Sequence, residues 1–371
     1  MHKSKNLVLA AAAVALAGYG TAATAGASSA SFLAPLKTVT SLTSTVPPNG
    51  DVNPYGLITV PSTIGKLEAG DLLVSNFNDK ANAQGTGTTI DEISTAGKRS
   101  LFTQIKTAAL PGSCPGGVGL TTALNVLPGG YVVVGSLPTT NGMSATAQYG
   151  CLIVLNSAGK PVETISGSQI QGPWDMTAVT HGSTTTLFVS NVLNGGAAQG
   201  VVTDDNSTVL RIRLRTGSGE LPKVLSEQVI ADKIPWVDNS AALVIGPTGL
   251  ALASNGTLYL ADTLANRITA IPQALTRTTA APGGGTTVSQ GGHLKQPLGL
   301  VLAPNGNILT ANAGDGNIVE TTPAGKQLLA DPADPADPKS GAGSLFGLDV
   351  AANGAGVYFV DDGNNTLRLL H

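Results

Sequence analysis

Six short polar residues stand at the ends of six apolar runs: Asn76 after LLVS, Ser136 after VVVG, Asn191 after LFVS, Asp262 after LYLA, Asn312 after ILTA and Asp361 after VYFV. Each carries a side-chain oxygen on a short stem, which suits it to cap the turn that follows by accepting local backbone amides. Brought together, the same oxygens suit a hard cation, with Ca2+ the natural candidate. The six are therefore the candidate ligand or metal ring, and turn capping is the structural alternative. No catalytic residue can be assigned, because the chain has no Gly-x-Ser-x-Gly elbow and no Cys–His pairing. Once His2 and His371 are set aside only His181 and His293 remain, too few for a histidine-held zinc.

The two cysteines, Cys114 and Cys151, are expected to form a disulfide, since the chain opens as an exported protein does. A charged MHKSK is followed by the apolar NLVLAAAAVALAGYG and then by the small residues TAATAGASSA. That is the pattern of a secretory signal peptide over residues 1–25, cleaved after Ala25. The apolar run is short for a bilayer span, so no membrane span is expected after its removal. The mature chain, 26–371, is expected to be a secreted or periplasmic monomer.

Charge argues against one class of partner. The chain has 20 basic and 23 acidic residues, a formal charge of −3, and loss of Lys3 and Lys5 with the leader takes it to −5. Nucleic acid is therefore not an expected partner, whereas a small molecule or a protein is. Aromatic residues make up only 4% and charged ones 12%, against 47 glycines, a balance that favours short strands and turns over helices.

The elements that must position the six residues repeat along the chain. Units start at Pro54-Tyr55-Gly56-Leu57, Gly117-Val118-Gly119-Leu120, Gly172-Pro173-Trp174-Asp175, Pro247-Thr248-Gly249-Leu250, Pro297-Leu298-Gly299-Leu300 and Leu345-Phe346-Gly347-Leu348. In three units a third strand leads into the same hairpin, Ala96-Gly97-Lys98, Ala158-Gly159-Lys160 and Ala324-Gly325-Lys326, where glycine supplies the positive φ of a tight turn. A period near fifty residues with four short strands per unit predicts an all-β, six-bladed β-propeller in a single domain. The last unit lacks a fourth strand, and Leu36–Leu42 is available to close the ring as its N-terminal strand.

Pro-x-Gly-Leu, Asn-Gly, Leu-Tyr-Leu-Ala-Asp and Asn266-Arg267-Ile268 together resemble the NHL repeat, and the chain is similar to secreted bacterial propeller proteins. The resemblance implies an NHL-like propeller over residues 36–371. The fold also resembles gluconolactonase-like propellers, which implies a single divalent cation held by Glu, Asn and Asp. Asp262 and the Asn ring supply two of those types, but no Glu stands at any first-strand start, and Asp175 is the only carboxylate there. Long loops at 77–89, 137–150 and 192–208 make one face lopsided, and loops on a rigid scaffold are where binding commonly resides. The functional expectation is a ligand- or protein-binding scaffold acting through that loop-rich face; the alternative is a metal-dependent hydrolase or lactonase.

Overall fold

The computed structural model describes residues 30–193, 203–217, 219–239, 242–335 and 341–371. The signal-peptide segment 1–25 and its cleavage site lie outside the described residues. Six antiparallel sheets follow one another along the chain, each a blade. Blade 1 is Val52–Thr59, Leu72–Asn78, Thr89–Ile93 and Arg99–Gln104; blade 2 is Leu120–Leu127, Tyr131–Ser136, Cys151–Leu155 and Pro161–Ile165. Blade 3 is Pro173–His181, Thr184–Asn191, Thr203–Arg215 and Lys223–Asn239; blade 4 is Pro247–Leu252, Leu258–Asp262, Arg267–Ile271 and Thr286–Gln290. Blade 5 is Pro297–Leu302, Ile308–Asn312, Asn317–Thr321 and Gln327–Pro332. Blade 6 is Leu345–Val350, Val357–Asp361 and Thr366–Leu370, completed on its outer side by Val39–Ser44 from the N-terminal end.

The closing strand pairs antiparallel with the last one, from Val39 opposite Leu370 to Ser44 opposite Thr366. Ahead of it, Leu33 is fully buried and Leu36 nearly so, in the cluster that blades 5 and 6 share. A buried carboxylate fixes this segment: Glu320 accepts the Ser31 hydroxyl and the amides of Phe32 and Leu33, at 2.8 and 3.0 Å, and the Asn307 side-chain amide at 2.7 Å. Burial by itself would raise the Glu320 carboxyl, but these donors hold it below its ordinary value. A depressed carboxylate contributes stability above the ordinary glutamate range and loses it as pH falls through the folded-state value. Glu320→Gln is therefore expected to melt lower at neutral pH and to match the wild type in acid, as thermal melts between pH 7 and pH 3 will show.

The hairpin glycines have a second role besides the turn. Gly97, Gly159 and Gly325 have φ of 80, 78 and 90°. A Cβ on Gly97 would lie 2.5 Å from the Leu42 carbonyl oxygen, one on Gly159 2.5 Å from that of Phe102, and one on Gly325 2.1 Å from that of Val288. Each of those carbonyls belongs to the outer strand of the preceding blade. One glycine thus both turns the chain and lets blades close against each other.

Blade 3 departs from the sequence reading. Residues 192–208 were expected to be a loop, but Thr203 already begins a 13-residue strand that pairs with a 17-residue partner. Alternation through Val209-Leu210-Arg211-Ile212-Arg213-Leu214 carries the strand outward, and Val209, Leu210, Ile212 and Leu214 are fully buried. The glycine-rich stretch 281–292 supplies blade 4's outer strand, and its Ala281–Pro282 pairs parallel with Ala231–Asp232 of blade 3.

Cys114 and Cys151 form a disulfide with a Cα–Cα distance of 5.3 Å across a separation of 37 residues. Cys151 opens the third strand of blade 2, so the bond ties the 137–150 loop to the start of that blade. Closing a loop of this length is worth about 3 to 4 kcal/mol on chain entropy. The Cys114→Ser, Cys151→Ser double variant is expected to lose about that much stability in urea unfolding, with protease cleaving first within 137–150. Among the described residues no helix is long and apolar enough to cross a membrane.

Candidate functional site

All six ring residues are fully buried, at the ends of the second strands. Five have neighbours in their own surroundings. The Asn76 amide donates to the Thr45 carbonyl at 3.1 Å; the Ser136 hydroxyl donates to Gly117 O and accepts from Gly119 N, both at 2.9 Å. Asp262 pairs with Arg267 Nε at 2.7 Å, Asn312 donates to His293 O at 2.7 Å, and Asp361 pairs with Arg368 Nε at 3.2 Å. Burial lifts the Asp262 carboxyl while Arg267 draws it back down, and the 2.7 Å contact is the geometry of a formed ion pair. The Asn191 side chain has no hydrogen-bond partner among the described residues.

A cavity forms elsewhere, along the axis, where the first strands of all six blades meet. It has a volume of 260 Å3. One end is closed by an aromatic plug: Tyr55 stacks on Phe77 at 4.6 Å and on Phe346 at 3.9 Å, and Trp174 meets Tyr55 and Phe77 edge-on at 5.9 and 5.7 Å. These rings are 0 to 4% exposed. They lie where the first strands begin and the second strands end, which is the loop-bearing face. Toward the other end of the first strands, wall residues Ile58, Asn125, Thr177, Leu252, Leu302 and Val350 become partly exposed. The channel therefore opens on the face opposite the long loops.

Register places one carboxylate deep in this wall. Leu57 opposite Val74, Leu124 opposite Val134, Met176 opposite Val189, Leu250 opposite Leu260, Leu300 opposite Thr310 and Leu348 opposite Phe359 align the six first strands. The residue before each is Gly56, Ala123, Asp175, Gly249, Gly299 or Gly347. A Cβ on Gly249, Gly299 or Gly347 would meet a carbonyl oxygen of the next blade at 2.1 to 2.5 Å, and one on Gly56 would meet the Thr122 carbonyl oxygen of blade 2 at 3.0 Å. Blade 3 carries Asp175 in that layer, and its carboxyl accepts the amides of Met176, at 2.8 Å, and of Leu250 in blade 4. Burial dominates over these donors and raises Asp175 to about 7. No arginine or lysine contributes to its titration, so the group divides between acid and carboxylate near neutrality.

A second carboxylate, Asp349, lies on blade 6, two residues beyond Gly347, and therefore nearer the open end. It is raised by burial too, but its oxygens are taken: Oδ2 accepts the Thr59 amide and hydroxyl, each at 2.7 Å, and Oδ1 the Val350 amide at 2.9 Å. Asn125 and Thr177 hold the equivalent places on blades 2 and 3. Sequence reading singled out Asp175 but passed over Asp349, Asn125 and Thr177. The signal that finds them is the aligned register of the first strands, two residues past the glycine layer.

No protein-family model matches the chain, and no curated protein matches it. Solved structures do resemble it across most of its length. A gluconolactonase from Xanthomonas campestris superposes with a TM-score of 0.55 at 13% identity, covering 89% of this chain and 88% of its own. A streptogramin B lyase gives 0.51 at 15% identity, covering 90% and 97%. Regucalcin, a calcium-binding protein from Agrobacterium tumefaciens, gives 0.51 at 13%, covering 86% and 90%. At these identities the likeness defines the six-bladed propeller and leaves the chemistry to the residues. The ring oxygens are distributed one per blade, Asp262 and Asp361 each face an arginine, and no group of three His, Cys, Asp or Glu gathers among the described residues.

Proposed function

We propose that the protein is a small-molecule hydrolase of lactonase type, working from the axial channel with Asp175 as its acid–base group. The observation that carries this reading is a carboxyl in the channel wall, raised to about 7 by burial and unpaired with any cation. A general base is most effective when its titration lies near the working pH. In the reaction, the Asp175 carboxylate takes a proton from water as the water oxygen bonds to the ester carbon. The same proton then passes to the ring oxygen as the ester C–O bond breaks. Asn125 and Thr177 carry donors on the same side of the channel for the oxyanion that develops between those steps. The fold shared with a gluconolactonase supports the reading as analogy.

The test is hydrolysis of a lactone series by the wild type and Asp175→Asn. The asparagine oxygen can still accept the Leu250 amide, so the fold should persist. kcat/KM is expected to rise with pH through a midpoint near 7 and to fall about 100-fold or more in the variant. An Asp175→Asn protein as active as the wild type ends the proposal. A second use, binding of a protein by the loop-rich face, is favoured by the exposure of Met143 and Tyr149, 61 and 40%, on the disulfide-tied loop.

A further inference from the structure

The channel wall is not uniform around its circumference. On blades 2 and 3 it carries Thr122, Asn125, Asp175 and Thr177. Over blades 4, 5, 6 and 1 it is aliphatic, with Leu250, Leu252, Leu300, Leu302, Leu348 and Leu57 the principal surfaces. Two of the polar side chains on that second arc are already engaged. Thr248 bonds to Thr263 at 2.9 Å and to the Leu298 carbonyl at 3.1 Å, and Asp349 is filled by Thr59 and Val350. A polyhydroxylated ligand would set most of its hydroxyls against leucine side chains on this arc, and an unpaired buried hydroxyl is costly. An alkyl chain meets no such obstacle.

We infer that the channel selects an amphipathic ligand, a compact ester or amide head against blades 2 and 3 with an unbranched alkyl tail along blades 4 and 5, in preference to a sugar lactone. This deepens the lactonase reading and rests on it only for the reaction. The volume of 260 Å3 is that of roughly nine liquid waters, which suits a ring carrying a short tail. The tail lies toward the open end, because Leu252, Leu302 and Val350 are the partly exposed rim while Tyr55, Trp174 and Phe346 close the floor.

Binding can be read separately from turnover, because Trp174 forms part of the channel floor and its fluorescence will report occupancy. The probes are γ-butyrolactone, γ-hexalactone, γ-octalactone and glucono-δ-lactone, titrated into the full-length mature protein and into Asp175→Asn. Each added methylene is expected to tighten binding roughly fourfold until the channel is full. Glucono-δ-lactone should bind more weakly than γ-octalactone by 10-fold or more. Leu252→Asn, at the rim, should flatten the chain-length dependence. Affinity that does not vary with chain length, or tighter binding of glucono-δ-lactone, overturns the inference. Chain-length-dependent binding together with equal turnover in wild type and Asp175→Asn would uphold the ligand class while overturning the acid–base assignment. Turnover lost in Asp175→Asn with no preference for chain length would do the reverse.

Discussion

A chain that begins at Thr45 is expected to lose its cooperative melting transition and to associate through the bared edge of blade 6. Removing the preceding residues deletes every pair between Val39–Ser44 and Thr366–Leu370. It also withdraws Leu33 and Leu36 from the cluster between blades 5 and 6 and strips Glu320 of its backbone donors. Two buried leucines are worth about 1.5 to 3 kcal/mol each. Glu320 keeps its asparagine donors but loses the Ser31 hydroxyl and two amides, about 1.5 to 3 kcal/mol for each bond to a charged group. Against a total stability of about 5 to 15 kcal/mol, this loss takes most of what holds the fold. The measurement is calorimetry with light scattering; a truncated monomer melting where the full chain melts would refute ring closure as a source of stability. A chain starting at Gly26 keeps all these contacts and is expected to behave as the full-length protein.

Substitution of a single inner glycine should have the next largest effect. A Cβ at Gly299 would lie 2.1 Å from the Phe346 carbonyl oxygen and 3.3 Å from the Leu348 amide nitrogen, both in the first strand of blade 6. Neither is a flexible side chain that can turn away, so the two blades must separate. Gly299→Ala is expected to destabilise by about 3 kcal/mol or more, lowering Tm by roughly 4 °C or more for a chain of this length. Gly256→Ala is the control, since its Cβ meets nothing within 4 Å and the change adds only the strain of φ +81°, about 1 to 2 kcal/mol. Equal melting of the two variants would show that blade contact does not depend on the glycine layer.

The architecture was readable because each blade repeats a local pattern that physics fixes locally: a glycine for blade contact, an alternating strand, a turn. The N-terminal closure followed from a missing strand at one end and a spare one at the other. The disulfide followed from two cysteines in a chain whose first residues read as an export signal. The site was less legible. Asn76 through Asp361 stood out because they repeat, yet repetition is what a structural role in every blade produces. The residues of the channel wall differ from blade to blade at one register position, and only strand pairing reveals that Asn125, Thr177 and Asp349 share it. The anchoring of Ser31–Leu33 by Glu320 left no local signal, because its partners are nearly 290 residues apart. Blade 3's long third strand was missed because its first residues, Asp204-Asp205-Asn206, have the composition of a loop.

Asp175 also makes the ring mechanically uneven. Around the axis, four joints between neighbouring blades are set by glycine against backbone, the blade 6 to blade 1 joint being bridged as well by Asp349 and Thr59. The joint from blade 3 to blade 4 is instead set by a carboxyl that accepts the Leu250 amide and changes charge near neutrality. Because the folded state raises this group, overall stability grows as pH falls from about 7 toward the ordinary aspartate range, while the Leu250 hydrogen bond, which favours the carboxylate, weakens. A propeller is usually pictured as a rigid wheel; this one has a spoke that titrates, and the axial channel lies beside it.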